Sequence, residues 1–225
     1  MKNNRKLKIA VVVVVIILAL GISVGAAHLE EIQATLFRAD GNDYISDDAR
    51  ATLYSYGQLY RELVEIRDDQ GSVFTDDRSV TINEEEVANL TQQFELTGER
   101  EPYLMARNSL IRRQVLYLEA VSQGFEIANE DVYAIIEMEK EASRNAVNFE
   151  QFLIFLEGTQ MTEYEYWMSI FDHIRVDLII SQYTDSLREQ FLNENENLPD
   201  TYDIHSMFDN MLEEKIDYLI EKAER

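Results

Sequence analysis

Apolar residues recur every three or four positions along most of this chain, and that spacing is typical of amphipathic helices. A helix is predicted over about 47–67, with a stripe formed by Leu53, Tyr56, Leu59, Tyr60 and Leu63. A comparable stripe over 204–220 predicts a strongly amphipathic last helix, and a shorter one predicts a helix over 28–39. No stretch has the pattern of a strand–helix–strand unit, so the expected fold class is all-α.

Helix-start signals divide the central part of the chain. Asn83 and Thr162 each precede a glutamate by three positions, which is the spacing of a capping box. Pro102 suits the first turn of a helix, where its missing N–H is not needed. Asn129 is expected to cap the helix that follows it. Residues 79–82 are interpreted as either a short strand or an extended lead-in.

Glycines supply the corresponding stop signals. Gly98, Gly124 and Gly158 each follow a periodic apolar run and are expected to end a helix, because glycine adopts the left-handed conformation readily. After Gly158 and the cap at Thr162, one long helix is predicted to run to about residue 191.

The N-terminal region has a separate character. Residues 9–27 carry no charge, and as a helix they would extend about 28 Å, close to the hydrocarbon thickness of a bilayer. Lys2, Arg5, Lys6 and Lys8 precede them and favour a cytoplasmic N-terminus. Two interpretations remain: a retained transmembrane signal anchor, which the length favours, or a signal peptide cleaved after small residues near 24–26. Both predict that the bulk of the chain is extracytoplasmic.

These patterns predict five regions in the chain. They are a basic cytoplasmic tail (1–8), the apolar segment (9–27), a helical N-terminal extension (28–78), a central helical module (79–192) and a C-terminal amphipathic helix (193–225).

Charge and composition narrow the possible partners. The chain has 43 acidic and 20 basic residues and a formal net charge of −23. Such a surface repels nucleic acid, so no nucleic-acid partner is expected. The absence of cysteine excludes disulfides, thiolate metal sites and a lipidated cysteine anchor.

No arrangement of residues in the sequence indicates catalysis or a cofactor. His28, His173 and His205 have no second ligand at a recognised metal-binding spacing, and each is interpreted as an ordinary surface or helix-face histidine. The acidic stretch that begins at Asp40 lacks the glycine and glutamate of a calcium loop. The acids 84–86 are explained by the helix dipole. No enzyme activity, metal or cofactor is therefore predicted.

Methionine and aromatic side chains are the candidate functional groups. Neighbouring side chains on the helix after Thr162 cannot all be buried on one narrow face, so some should be exposed or line a groove. Methionine adapts its shape to varied partners. The candidate residues for binding a polypeptide client are Tyr164, Trp167, Met168, Phe171, Met207 and Met211.

Two motifs carry a resemblance to a known family. Ala120, Gly124, Phe125 and Ile127 precede the acids Glu130 and Asp131, so that one helix ends at glycine and the next begins through acids. Gly158 followed by Thr162, Glu163 and Tyr164 is a second such step. In this order the region from about 80 to 191 resembles the N-terminal helical domain of SurA- and PrsA-type extracytoplasmic chaperones.

The resemblance implies a multi-helix, SurA N-terminal-like chaperone module behind a transmembrane helix. It implies ATP-independent binding of unfolded or partly folded exported proteins through an apolar groove. Family members commonly carry a parvulin prolyl-isomerase domain, and the residues after 191 are too few for one, so no isomerase activity is expected. The alternative function is an envelope interaction or assembly factor with one dedicated protein partner.

Overall fold

The structure, a computed structural model, describes residues 45–70, 80–146, 149–196 and 203–223. Within these residues the chain is all-α, as predicted, with eight helices and no strand. The predicted apolar segment 9–27, the basic tail and the helix over 28–39 lie outside the described residues. The helices are α1 (Asp47–Gln70), α2 (Glu84–Leu96), α3 (Pro102–Ser122), α4 (Asn129–Arg144), α5 (Phe149–Thr159), α6 (Glu163–Ser169), α7 (Phe171–Glu194) and α8 (Ile204–Ala223).

The helices pack around two adjoining apolar clusters. The larger is built mainly from α1, α2, α5 and α6, and its centre is a set of rings that includes Tyr60, Phe155, Tyr166 and Trp167. The smaller joins α3, α7 and α8. Because α1 packs along α5 and against α2, this helix forms part of the same core as the residues after 79.

Most of the predicted helix boundaries are confirmed. The side chain of Asn83 accepts from the amides of Glu85 and Glu86 at 2.9 and 3.4 Å. Thr162 and Glu165 form the predicted capping box, and Pro102 is the first residue of α3. Residues 80–83, which we call the lead-in, contain no strand, and Asn83 is extended (φ −86°, ψ 113°).

Gly124 ends α3 as predicted. Its φ is +87°, and the amide of Phe125 donates to the carbonyl oxygen of Ala120 at 3.1 Å. The amide of Gly124 itself donates to the carbonyl oxygen of Val121 at 3.0 Å. This pair of bonds is a Schellman motif, and it turns the ring of Phe125 back onto Tyr183, with 5.7 Å between ring centroids.

The expected end of α5 at Gly158 is wrong. The helix continues through Gly158 to Thr159, and the left-handed residue is Gln160, with φ +55°. Gly158 instead lies where α5 crosses α1, in contact with Gly57. Its lack of a side chain allows close approach of two helices.

Two other boundaries differ from the prediction. The N-cap of α4 is Ala128, which is extended (φ −73°, ψ 147°), so Asn129 is the first helical residue and does not cap. The long helix predicted from 163 is divided at Ile170 into α6 and α7. The hydroxyl of Ser169 donates to the carbonyl oxygen of Tyr166 at 2.7 Å, and such back-bonding bends a helix.

Candidate functional site

A cavity of about 530 Å³ opens between α1, the 80–83 lead-in, the start of α2, α3 and the α6–α7 corner. We call it the cleft. Its volume is within the range of sites that bind small molecules. The cleft has a buried polar floor, an apolar wall and an acidic rim.

One half of the floor is an ion pair between α1 and α2. The guanidinium Nε of Arg67 donates to Oε1 of Glu86 at 2.8 Å, and Nη2 donates to the same oxygen. The carboxylate of Glu86 is almost fully buried. The position of Glu86 in the first turn of α2 suits the helix dipole. The burial of its carboxylate is explained by the ion pair with Arg67, which was not predicted from the sequence.

The other half of the cleft floor is a set of hydrogen bonds that joins α3 to α7. Arg113 donates through Nε to Oδ1 of Asp177 at 3.0 Å and through Nη2 to the carbonyl oxygen of His173 at 3.1 Å. Its Nη1 lies 2.8 Å from Nδ1 of the same histidine. The arginine is buried, so these contacts replace the water that its charge would otherwise require.

His173 lies between the two arginines, with Nε2 in contact with Nη1 of Arg67. Burial, together with the charges of Arg67 and Arg113, holds the pKa of His173 well below its usual value. The imidazole is therefore neutral at neutral pH. Burial raises the pKa of Asp177, and Arg113 opposes that shift.

Of the two interpretations of His173, the surface one is wrong, because the residue is 7% exposed; it lies on a face of α7 and belongs to this polar cluster. Its ring faces guanidinium groups, whereas a histidine that acts as a base is normally oriented by a carboxylate. Asp177 contacts Arg113 rather than the imidazole. The cluster offers hydrogen-bond donors to a ligand.

Methionine and tyrosine side chains form the accessible part of the wall. Met161, Tyr164 and Met168 line the cleft from the α6 side, and Val64 and Leu110 face them from α1 and α3. Tyr164 is 69% exposed. Tyr164 and Met168 are four residues apart and so lie on the same side of α6.

Carboxylates outnumber guanidinium groups around the cleft. Arg61 on the rim binds Glu65 with Nε–Oε1 2.7 Å, and Asp172 is paired with Arg175 at 2.7 Å. Arg61, Arg67 and Arg113 make three cations in the lining, against five anions: Glu65, Asp68, Glu86, Glu165 and Asp172. The cleft therefore does not attract anions from a distance.

The structure brings together only some of the predicted client-binding residues. Tyr164 and Met168 line the cleft. Trp167 is 1% exposed and belongs to the aromatic core, so it is not available to a client. Phe171 packs on Tyr133 of α4, with ring centroids 4.8 Å apart, and does not line the cleft.

Met207 and Met211 belong to α8, the helix that packs on α3 and α7. Both are partly buried, and neither lines the cleft. The prediction from sequence therefore located one wall of the cleft through Tyr164 and Met168, and did not include its floor.

No group of three or more histidine, cysteine or acidic side chains in residues 45–70, 80–146, 149–196 and 203–223 is placed to hold a metal ion. In the same residues, no helix is long and apolar enough to cross a membrane. Comparison of the chain with protein-family models, curated proteins and solved structures finds no match.

Proposed function

We propose that the cleft binds segments of unfolded or partly folded polypeptides and that the protein is an ATP-independent, chaperone-like holdase. The observation that carries the proposal is the wall of exposed Tyr164 and partly buried Met161 and Met168 beside a cavity of about 530 Å³. Flexible methionines and an exposed tyrosine adapt to many apolar side chains. An enzyme is not proposed, because Arg67 and Glu86, and Arg113 and Asp177, are engaged with each other as ion pairs.

The proposed location comes from the sequence. The uncharged run 9–27 and the basic residues before it favour a single-pass anchor with the helices on the extracytoplasmic side. Exported chains would then be the clients. The resemblance to the helical domain of SurA- and PrsA-type chaperones supports the same function. The net charge of −23 would keep a surface that binds apolar segments soluble.

Aggregation of a client tests the proposal. The protein is mixed with a thermally unfolding client, and light scattering is followed with the wild type and with Met168→Lys, which places a charge in the cleft wall. Met138→Lys is the matched control, because Met138 is 56% exposed on α4 and does not line the cleft.

The wild type and Met138→Lys should suppress scattering, and Met168→Lys should suppress it much less. No suppression by the wild type at molar excess would rule out a holdase. Equal suppression by all three proteins would show that clients bind outside the cleft.

A second function, an assembly factor with one dedicated partner, is favoured by the floor. Four charged groups, Arg67, Glu86, Arg113 and Asp177, are fixed by mutual hydrogen bonds. A rigid polar floor selects ligands more strictly than an all-apolar groove. Capture of a single stoichiometric partner from envelope extracts, with no suppression of aggregation, would favour this function over the first.

A further inference from the structure

The rim of the cleft has more acids than cations to neutralise them. Arg61 is bound to Glu65, with 2.7 Å between Nε and Oε1, and its charge also acts on the carboxylate of Glu165. Asp68, also in the lining, makes no ion pair within the part of the chain that the structure describes. Two acids of the rim therefore share one cation, and a third has none in those helices.

Glu165 and Asp68 present their negative charges to water. Thr162 donates to Oε2 of Glu165 through its amide at 2.7 Å and through its hydroxyl at 2.8 Å, and these bonds hold the pKa of the carboxyl below its usual value. Asp68 is exposed in the last turn of α1, where the helix dipole stabilises a cation rather than an acid. A cation bound there would relieve an unfavourable charge.

The wall beside these acids suits the stem of a long basic side chain. Tyr164 precedes Glu165 in α6, and Met168 lies one turn further along the same helix. Lysine and arginine pack their aliphatic stems on apolar surface while their charged heads stay in water. An exposed tyrosine ring also attracts a cation to its face. Wall and rim together therefore match the two parts of one basic side chain.

We propose that the cleft selects client segments in which a lysine or an arginine adjoins apolar residues. The apolar residues lie against the wall at Met161 and Met168, and the cation lies at the rim beside Asp68 and Glu165. This inference rests on the proposed function and specifies which polypeptide segments the cleft prefers.

Charge disfavours the other occupants. A second copy of the chain carries the same net charge of −23, so two copies repel each other. An acidic segment would add like charge to the rim. It would also find the arginines of the floor engaged, because Arg67 is paired with Glu86 and Arg113 with Asp177. A basic segment is the charged occupant whose sign is opposite to that of the rim.

Peptide titration of the full-length chain in nanodiscs of zwitterionic lipid tests the inference. Three fluorescent peptides, blocked at both ends, share one apolar core and differ in their two flanking residues, which are lysines, glutamines or glutamates. Fluorescence anisotropy measures their affinities at low and at high salt. Empty nanodiscs control for partition into the lipid.

The lysine peptide should bind about threefold more tightly than the glutamine peptide at low salt, the value of an exposed ion pair. The glutamate peptide should bind more weakly than both. High salt should remove most of the lysine preference, because it screens exposed charges. Equal affinities for the lysine and glutamine peptides at low salt would overturn the inference, and so would tighter binding of the glutamate peptide.

A double variant locates the preference. Asp68→Asn with Glu165→Gln removes two rim charges, and glutamine at position 165 can still complete the capping box with Thr162. This variant should bind the lysine and glutamine peptides equally. Asp68→Asn alone changes one exposed side chain, and it should reduce the lysine preference if the double variant does not fold.

The matched control makes the same two replacements far from the cleft. Glu214→Gln with Asp217→Asn removes the same charges from exposed positions of α8, which does not line the cleft. The lysine preference should persist in this control. A loss as large as that in the rim variant would overturn the inference, because the attraction would then come from the overall charge of the chain.

Failure of the inference and failure of the proposed function are distinguishable. Suppression of client aggregation with equal binding of the lysine and glutamine peptides removes only the preference for basic segments. No binding of any of the three peptides, together with no suppression of aggregation, removes the proposed function as well.

Discussion

Gly57 of α1 and Gly158 of α5 lie against each other where the two helices cross. A Cβ atom on Gly57 would lie 2.2 Å from the carbonyl oxygen of Phe155, and one on Gly158 would lie 2.1 Å from that of Tyr54. No side chain fits between these backbones. The contact sets the position of α1, and α1 carries Arg67 and Val64 into the cleft.

Alanine at either glycine should therefore destabilise the fold. Gly57→Ala or Gly158→Ala would push backbone against backbone, and we expect a loss of about 3 kcal/mol in the free energy of unfolding. Urea denaturation measures it. Gln58→Ala, at an exposed position of the same helix, is the control and should change stability little. Unchanged midpoints for both glycine variants would show that the crossing is looser than described.

Gly124 offers a contrasting case. Its φ is +87°, but a Cβ there would meet no atom within 4 Å. Gly124→Ala should cost only the strain of a left-handed backbone, about 1–2 kcal/mol, less than the crossing variants. The same denaturation series tests this order. A cost for Gly124→Ala above that for Gly57→Ala would contradict it.

The Arg67–Glu86 pair should contribute far more than an exposed pair. Glu86→Gln leaves a buried guanidinium without its counter-charge and should cost about 3 kcal/mol. Glu213→Gln breaks the exposed pair with Arg112 and should cost less than about 1 kcal/mol. Comparable losses, measured by chemical denaturation of both variants, would mean that Arg67 reaches solvent.

Stability should depend on His173 in mildly acidic solution. The pKa of this buried histidine is lowered in the folded state, so below about pH 6.5 the unfolded chain binds the proton and the folded chain does not. The stability present above pH 6.5 is then lost as pH falls, by up to about 1.4 kcal/mol per pH unit.

Urea midpoints at pH 7.5, 6.5 and 5.5 measure this dependence. The charged groups that face the ring are Arg67 and Arg113, with Glu86 and Asp177 as their partners. His173→Phe should flatten the profile relative to the wild type, and His205→Gln, at an exposed position of α8, should not. A wild-type profile as flat as that of His173→Phe would mean that the histidine titrates normally in the folded protein.

The helices could be predicted from the sequence where the signal is local. Asn83, Pro102 and Thr162 act through neighbours within four residues, so their patterns are sufficient. Gly124 and Gly158 look alike in sequence but differ in role. Position 158 requires a glycine because the backbone of α1, about a hundred residues earlier in the chain, packs against it. No local sequence pattern contains that information.

The site was predictable only in part, for the same reason. Tyr164 and Met168 follow from crowding on one short helix. Arg67 and His173 are 106 residues apart and Arg113 and His173 are 60 apart, so their association is a property of tertiary packing. The sequence did contain a signal for the burial of His173. The residue adjoins Ile174 and lies three residues after Ile170, and both isoleucines are buried, so this helical position faces the core.

Site-specific photo-crosslinking tests the central claim most directly. A photoreactive phenylalanine analogue replaces either Tyr164, 69% exposed at the cleft, or Tyr218, 58% exposed on α8. With an unfolding client under illumination, position 164 should form the cross-linked adduct and position 218 should form little. Equal adduct yields at the two positions, or a higher yield at 218, would contradict polypeptide binding in the cleft.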